Sequence, residues 1–230
     1  MFSSPDLTPK TSSHFSIQFL DLELHLLKEK AIWCPELKTL FLSDLHFGKA
    51  AHFRKSGIPI PEPIHYEDLL KIESLISTFQ PEHFYFLGDL FHSDWNDQWN
   101  TLNSFLRNFK ETNFHLVKGN HDVLNLSDYS TSNFQIHPEP IQLGRILLSH
   151  EPQKQIPEGL INLCGHIHPG IRLVGKGRQY LKLPCFYLHG NQLILPAFGN
   201  FTGLALIRPA AGHQVFGVTK EKVIPILSRD

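Results

Sequence analysis

The sequence predicts an α/β fold in which two β-sheets pack face to face with helices outside. Three observations carry that expectation. Short apolar runs in the first half alternate with helical patterns, the second half is dominated by short strand patterns, and 230 residues that are 41% hydrophobic, with 18 Phe, suffice for one sizeable core. No linker or internal repeat divides the chain. Residues 15–230 are therefore expected to form a single domain, and residues 1–14 an N-terminal tail.

In the first half, residues 39–42 (TLFL), 84–87 (FYFL) and 115–117 (HLV) read as buried strands, each followed within two residues by Gly or Asp. Between the first two, Leu69, Ile72, Ile76 and Phe79 recur at spacings of three and four, as on one face of a helix, with acidic residues near its start. Trp99, Leu102, Leu106 and Phe109 repeat the pattern before the third. Strand, helix, strand, helix, strand is a βαβαβ unit, whose strands should run parallel. In the second half, strands are expected at 134–136, 143–148, 159–163, 183–189, 192–195 and 203–207. Gly190-Asn191, between "FYLH" and "QLIL", signals a two-residue hairpin and hence more antiparallel pairing here.

The N-terminus has no basic start followed by an apolar stretch, and nowhere do 18 uncharged apolar residues run together, so neither secretion nor a membrane span is expected. Three widely separated cysteines, Cys34, Cys164 and Cys185, suit core thiols in a reducing cytoplasm. Net charge is −1, so bulk electrostatics names no partner. Its distribution is uneven: residues 159–220 carry Arg172, Lys176, Arg178, Lys182, Arg208 and Lys220 and no Asp or Glu. Either folding disperses these charges or they collect into a face for an anionic partner.

Polar residues follow the strands in a repeated way. After 39–42 comes Asp44-Leu45-His46, after 84–87 Gly88-Asp89, and after 115–117 Gly119-Asn120-His121-Asp122. "LLSHEP" then supplies His150 and "INLCGHIHPG" supplies His166 and His168. Ligands of open α/β sheets bind beyond the carboxyl ends of the strands, so the five clusters can converge on one rim. Asp44, Asp89 and Asn120 offer oxygen; His46, His150, His166 and His168 offer imidazole nitrogen. A mixed set without thiolate suits Mn, Fe, Zn, Co or Ni better than Ca or Mg. Seven ligands exceed the usual need of one ion, and two ions bridged by Asp89 account for the number. An extended backbone through Asp44-x-His46 and His166-x-His168 would point each pair to one side. Gly88, Gly119 and Gly165, lacking Cβ, would let the backbone approach the metals closely.

In this order the clusters resemble the calcineurin-like metallophosphoesterases, whose pattern is D-x-H, G-D, G-N-H-D or G-N-H-E, a lone H, and G-H-x-H. It stands here complete from Asp44 to His168. The resemblance implies a four-layer αββα sandwich of two mixed β-sheets flanked by helices. It implies one metal held by Asp44, His46 and His168, a second held by Asn120, His150 and His166, and Asp89 bridging them. His121 would stabilise the transition state or protonate the leaving oxygen, with Asp122 fixing its orientation and tautomer. Two ions about 3.5–4 Å apart would activate a bridging hydroxide for in-line attack on phosphorus, without a covalent enzyme intermediate.

Residues outside the core bear on the substrate. "DLHFGKAAHFRKSGIPIP" (44–61), "GDLFHS" (88–93) and "LPAFGNFTG" (195–203) are similar to the bacterial metallophosphoesterases associated with an ATP-dependent DNA ligase and a helicase. That likeness implies a cytoplasmic, manganese-dependent DNA endonuclease of DNA repair, with DNA as partner and the ligase and helicase in the same pathway. Leu204 departs from it, standing where a second Gly is expected. Lys49, His52, Arg54 and Lys55 lie a few residues past two ligands, where they could reach a flanking phosphate. Arg54 is the strongest candidate, since a guanidinium grips phosphate oxygens in a bidentate way. His92 could overhang the site, and Trp95, Trp99 or Phe201 could stack unpaired bases unless they are core residues. A phosphatase or phosphodiesterase acting on small nucleotides or phosphoproteins is the alternative, and a binding module without turnover a further one.

Overall fold

A computed structural model describes residues 14–49, 63–91, 97–123, 134–138, 140–200 and 202–226. One sheet runs in chain order through β1 (His14–Phe19), β2 (Leu22–Leu27), β3 (Ile32–Cys34), β4 (Thr39–Leu42), β5 (His83–Leu87), β6 (Asn113–Val117) and β7 (Phe134–His137). Its first four strands pair antiparallel and β4 to β7 pair parallel. The helices α1 (Pro63–Phe79) and α2 (Asp97–Leu106) make the crossovers between β4, β5 and β6, as the helical spacing predicts.

The second sheet contains β8 (Ile141–Leu143), β9 (Ile146–Leu148), β10 (Ile161–Cys164), β11 (Pro169–Val174), β12 (Tyr180–His189), β13 (Gln192–Ile194) and β14 (Ala205–Leu206), with β15 (Gln214–Val218) on β12 and β16 (Val223–Ile226) on β15. It is mixed: β9, β10 and β13 lie parallel, whereas β12 pairs antiparallel with β11, β13 and β15. The expected hairpin at Gly190-Asn191 joins β12 to β13, with Gly190 at φ +55°. The single strand expected over 143–148 is instead two, because Gly144-Arg145 forms a tight turn and Leu143 pairs with Ile146.

Strand alternation builds two cores from one set of strands. Leu40, Leu42, Phe84, Phe86, Phe114 and Leu116 face α1 and α2, where Ile72, Leu75, Trp99 and Leu102 meet them. Phe41, Tyr85, Leu87 and Val117 point the other way, onto Leu148, Leu163, Phe186 and Leu193 of the second sheet. Burial on both faces is why these strands read as unbroken apolar runs. Both α-helices among the described residues cover the first sheet. The outer side of the second sheet carries a smaller cluster around Ile171, Cys185 and Val215. All three cysteines are buried and unpaired, as expected. Among the described residues no helix is long and apolar enough to cross a membrane.

One buried polar group within the sandwich sets a pH dependence. His115 on β6 stacks on Tyr85 at 4.2 Å, with its Nε2 3.0 Å from His83 Nδ1 and its Nδ1 3.3 Å from His137 Nε2. Burial, with charge repulsion from His83 and His137 adding to it, lowers its pKa from 6.5 to about 4. Between those values the unfolded chain binds the proton and the folded chain does not, so stability rises with pH. The contribution, at most about 3 kcal/mol, is complete above about pH 6.5 and is lost as pH falls toward about 4. The urea midpoint of the wild type is expected to drop between about pH 7 and about pH 5, and His115→Gln to flatten that drop. Equal slopes for the two proteins would refute the assignment.

Candidate metal centre

The carboxyl ends of β4, β5 and β6 in one sheet and of β9 and β10 in the other meet along one rim, and every predicted metal ligand lies there. Backbone hydrogen bonds carry the β4–β5 pairing past the strands: Asp44 N–H donates to Gly88 O (3.1 Å), His46 N–H to Asp89 O (2.8 Å) and Phe47 N–H to Leu90 O (2.9 Å). On the other side Phe198 N–H donates to Ser43 O and Gly199 N–H to Asp44 O. Asn200 then ties that segment to α1 through Lys71 and Glu67. The Asp44–Phe47 turn is thus clamped from both flanks.

The clamp holds an unusual backbone. Nine non-glycine residues among those described have left-handed φ, and five of them are Asp44 (+55°), His46 (+49°), Asp89 (+49°), His166 (+68°) and His168 (+52°). This corrects the expectation that an extended backbone aligns Asp44 with His46 and His166 with His168. The strands stop at Leu42 and Cys164, and left-handed residues aim the side chains instead. Each such residue costs about 1 kcal/mol or more and persists only where its surroundings hold it. Gly88, at φ +77°, is required by contact as well, since a Cβ there would lie 2.2 Å from His150 Nδ1.

The donor atoms form two groups. Asp44, His46 and His168 offer atoms within 4.8 Å of one another, as do Asp44, Asp89 and His150. Asp89 faces both ways, with Oδ2 3.7 Å from His46 Nε2 and Oδ1 3.5 Å from His150 Nε2. His150 Nε2 also lies 3.0 Å from Asn120 Oδ1 and 3.1 Å from His166 Nδ1.

These atoms suit a cation. His150 donates its Nδ1–H to the Leu87 carbonyl (3.0 Å), which can only accept, so Nε2 of the neutral ring presents a lone pair to Asn120 Oδ1 and Asp89 Oδ1. Asp44 Oδ1, fully buried, has no hydrogen bond among the described residues, although His168 Nε2 is 3.2 Å away. Burial alone would raise the Asp44 pKa, but neighbouring groups, His168 foremost, outweigh it and hold the carboxyl below its ordinary range. Lone pairs turned on one another at such distances are tolerable when a divalent ion sits among them. Cys164 adjoins the site, yet burial, then the Asp44 charge, push its thiol pKa up, leaving nitrogen and oxygen donors.

Asp122 has a structural task beside the role implied for it. Its Oδ1 accepts the N–H groups of Leu90 (2.9 Å) and Phe91 (3.2 Å), and its Oδ2 accepts Gly119 N–H (2.8 Å). It joins the turn after β5 to the turn after β6, and so positions Asp89 and Asn120. Burial pushes its pKa up to about 6, with those N–H groups opposing. His121 stands exposed at the rim, its N–H donating to Asp89 Oδ1 (2.9 Å) and its ring 5.7 Å from that of His46.

The family model described as calcineurin-like phosphoesterase matches residues 37–190. The chain belongs to the calcineurin-like phosphoesterases. The crystal structure of the Pseudomonas putida nuclease MPE is similar at 30% identity and a TM-score of 0.77, over 93% of this chain and 100% of that one. A phosphoesterase from E. coli, Yfce, is similar at 14% identity and a TM-score of 0.43, over 81% of this chain and 96% of that one. No curated protein sequence is close enough to this chain to count as a match. As a calcineurin-like phosphoesterase the protein is a metal-dependent hydrolase of phosphoesters built on the two-sheet sandwich expected of that family.

The remaining predicted residues divide. Lys49 sits on the turn closed by its N–H to the His46 carbonyl (3.2 Å). His52, Arg54, Lys55, His92, Trp95 and Phe201 lie outside the described residues. Trp99 is core, buried against Phe91 and Phe134. Sequence reasoning assigned no part to Leu87, whose carbonyl fixes the His150 tautomer, because a backbone acceptor leaves no trace in residue type. Asp122→Asn is expected to destabilise the protein by about 1–3 kcal/mol and weaken metal binding about 10–100-fold, since an amide N–H₂ must then face a backbone N–H. Calorimetric titration with Mn beside thermal unfolding checks this, and wild-type metal affinity would contradict it.

Proposed function

We propose that this calcineurin-like phosphoesterase is a two-metal, manganese-dependent DNA phosphodiesterase that cuts strands internally during DNA repair. The observation that carries the two-metal part is Asp89, whose two oxygens face the His46 and His150 sides of one donor cluster. The full-length likeness to a nuclease supports the choice of nucleic acid over other phosphoesters.

Asp44, His46 and His168 would hold one ion and Asn120, His150 and His166 the other, with Asp89 shared. Bound divalent ions supply Lewis acidity, which lowers the pKa of a water and neutralises charge on phosphoryl oxygens. The chain's own work is positional. Asp44 stays ionised beside His168, and His150 keeps its Nε2 lone pair directed into the site because its Nδ1–H is held by Leu87 O. His121, anchored by its backbone N–H on Asp89, extends an imidazole from the rim to stabilise the developing charge or protonate the leaving oxygen. Lys49, His52, Arg54 and His92 are the groups for the phosphates flanking the scissile one, Arg54 foremost by its bidentate fork.

Purified protein loaded with Mn is expected to cleave circular single-stranded DNA and to hydrolyse bis-p-nitrophenyl phosphate, and Asp89→Ala to abolish both. Arg54→Ala should lower kcat/KM for DNA at least about tenfold more than for the small diester. Turnover of p-nitrophenyl phosphate alone would overturn the diesterase reading in favour of a phosphatase.

A further inference from the structure

The hairpin of β11 and β12 starts at Pro169, immediately after the ligand His168, and runs away from the rim. Its register pairs Gly170 with Pro184, Arg172 with Lys182 and Val174 with Tyr180, so these six residues share one face. Leu173, Leu183 and Ile171 turn to the opposite face and join the small cluster with Cys185 and Val215. The first face is open: Arg172 and Lys182 are exposed, Val174 is 72% exposed and Tyr180 59%. Leu204, which stands where a glycine was expected, approaches this face at Gly170, where an added Cβ would lie 3.0 Å from its own.

Two features of that face are costly for a protein in water. Arg172 and Lys182 are like charges directly opposite each other on neighbouring strands, a pairing that destabilises a sheet. Among the described residues neither forms an ion pair with a carboxylate, and residues 159–220 themselves contain none. The Arg172 guanidinium lies 4.6 Å from the centroid of the Tyr180 ring and the Lys182 ammonium 6.0 Å from it. The result is an exposed aromatic held among cations, a combination suited to a chain that carries both phosphates and flat bases. From Pro169, Arg172 is about 10 Å and the Val174–Tyr180 pair about 17 Å along the strand. A polynucleotide with one phosphate at the metal centre can therefore lie along the arm.

We propose that the β11–β12 hairpin is a docking arm for unpaired polynucleotide: Tyr180 stacks a base, and Arg172 and Lys182 contact phosphates beside the scissile one. The inference rests on the nuclease reading above and adds to it where the strand runs and an expected preference for unpaired strands, since only unpaired bases expose a face to Tyr180.

The test is kcat/KM of the metal-loaded protein for single-stranded oligothymidylate, long and short, over a range of salt, alongside bis-p-nitrophenyl phosphate. Tyr180→Ala is expected to lower kcat/KM for the long oligonucleotide about tenfold at every salt concentration, with Tyr180→Phe restoring it. Arg172→Ala and Lys182→Ala should each reduce the slope of log kcat/KM against log salt by about 0.7, the share of one phosphate contact on a single strand. An undiminished kcat/KM and slope in all three variants would overturn the inference. So would a loss by Tyr180→Ala that is equal for the small diester, or a Tyr180→Ala effect confined to self-association. If the wild type cuts the small diester but no DNA of any length, the nuclease reading itself fails, an outcome separate from wild-type DNA cleavage that ignores the arm.

Discussion

The hydrogen bonds from the N–H groups of Asp44 and His46 to the carbonyls of Gly88 and Asp89 are the constraint on which the rest of the centre depends. They prolong the β4–β5 pairing into a region where the backbone has already turned left-handed, and thereby fix three donor side chains relative to one another. Asp122 performs the equivalent task between the β5 and β6 turns with three charge-assisted bonds, which are roughly twice as strong as neutral ones. His166 joins the same frame by donating its backbone N–H to Asp44 Oδ2 (3.0 Å). Side chains belonging to four turns are therefore held in place relative to one another.

Such a frame is expensive to assemble without an ion. Asp44, Asp89 and Asp122 are almost fully buried within one small region, and an unpaired buried carboxylate would rather take up a proton than remain charged. Asp122 shows this tendency in its raised pKa, while Asp44 escapes it only through its histidine neighbours. Five left-handed ligand positions add conformational strain to the electrostatic cost. Both costs are met by interactions elsewhere, chiefly the two apolar cores that share β4, β5 and β6. The free energy of metal binding then appears partly as stability of the fold, because the same turns are ordered by either.

How much of this was legible in the sequence depends on the kind of interaction. Asp44, His46, Asp89, Asn120, His150, His166 and His168 were legible because ligand chemistry demands particular side chains, and because buried parallel strands announce their ends as apolar runs stopping at Gly or Asp. The geometry that aims them was not. Left-handed φ at Asp44 or His168 is imposed by the clamping segments, and nothing in D-x-H distinguishes it from extended chain. The strands β11, β15 and β16 were hidden for a different reason: β11 opens with Pro-Gly and β15 and β16 contain Gly217 and Pro225, residues that normally argue against a strand. Pro225 is accommodated because β16 is an edge strand. The inward role of Asp122 was likewise hidden, since its partners are three backbone N–H groups.

The uneven charge of the chain takes on meaning once these pieces are in place. Before an ion binds, Asp44 and Asp89 present negative charge where a phosphoester must sit, so a metal-free centre would repel its own substrate. Loading the centre reverses the sign of that field. The acid-free segment then continues it outward, through Arg172 and Lys182 on the arm. A polynucleotide substrate, as proposed, would thus encounter attraction along its length only when the metal is present, which would couple strand capture to competence for cleavage. This order of events follows from the placement of charges, and under the proposed nuclease function it would let a protein of net charge −1 still favour a polyanionic partner.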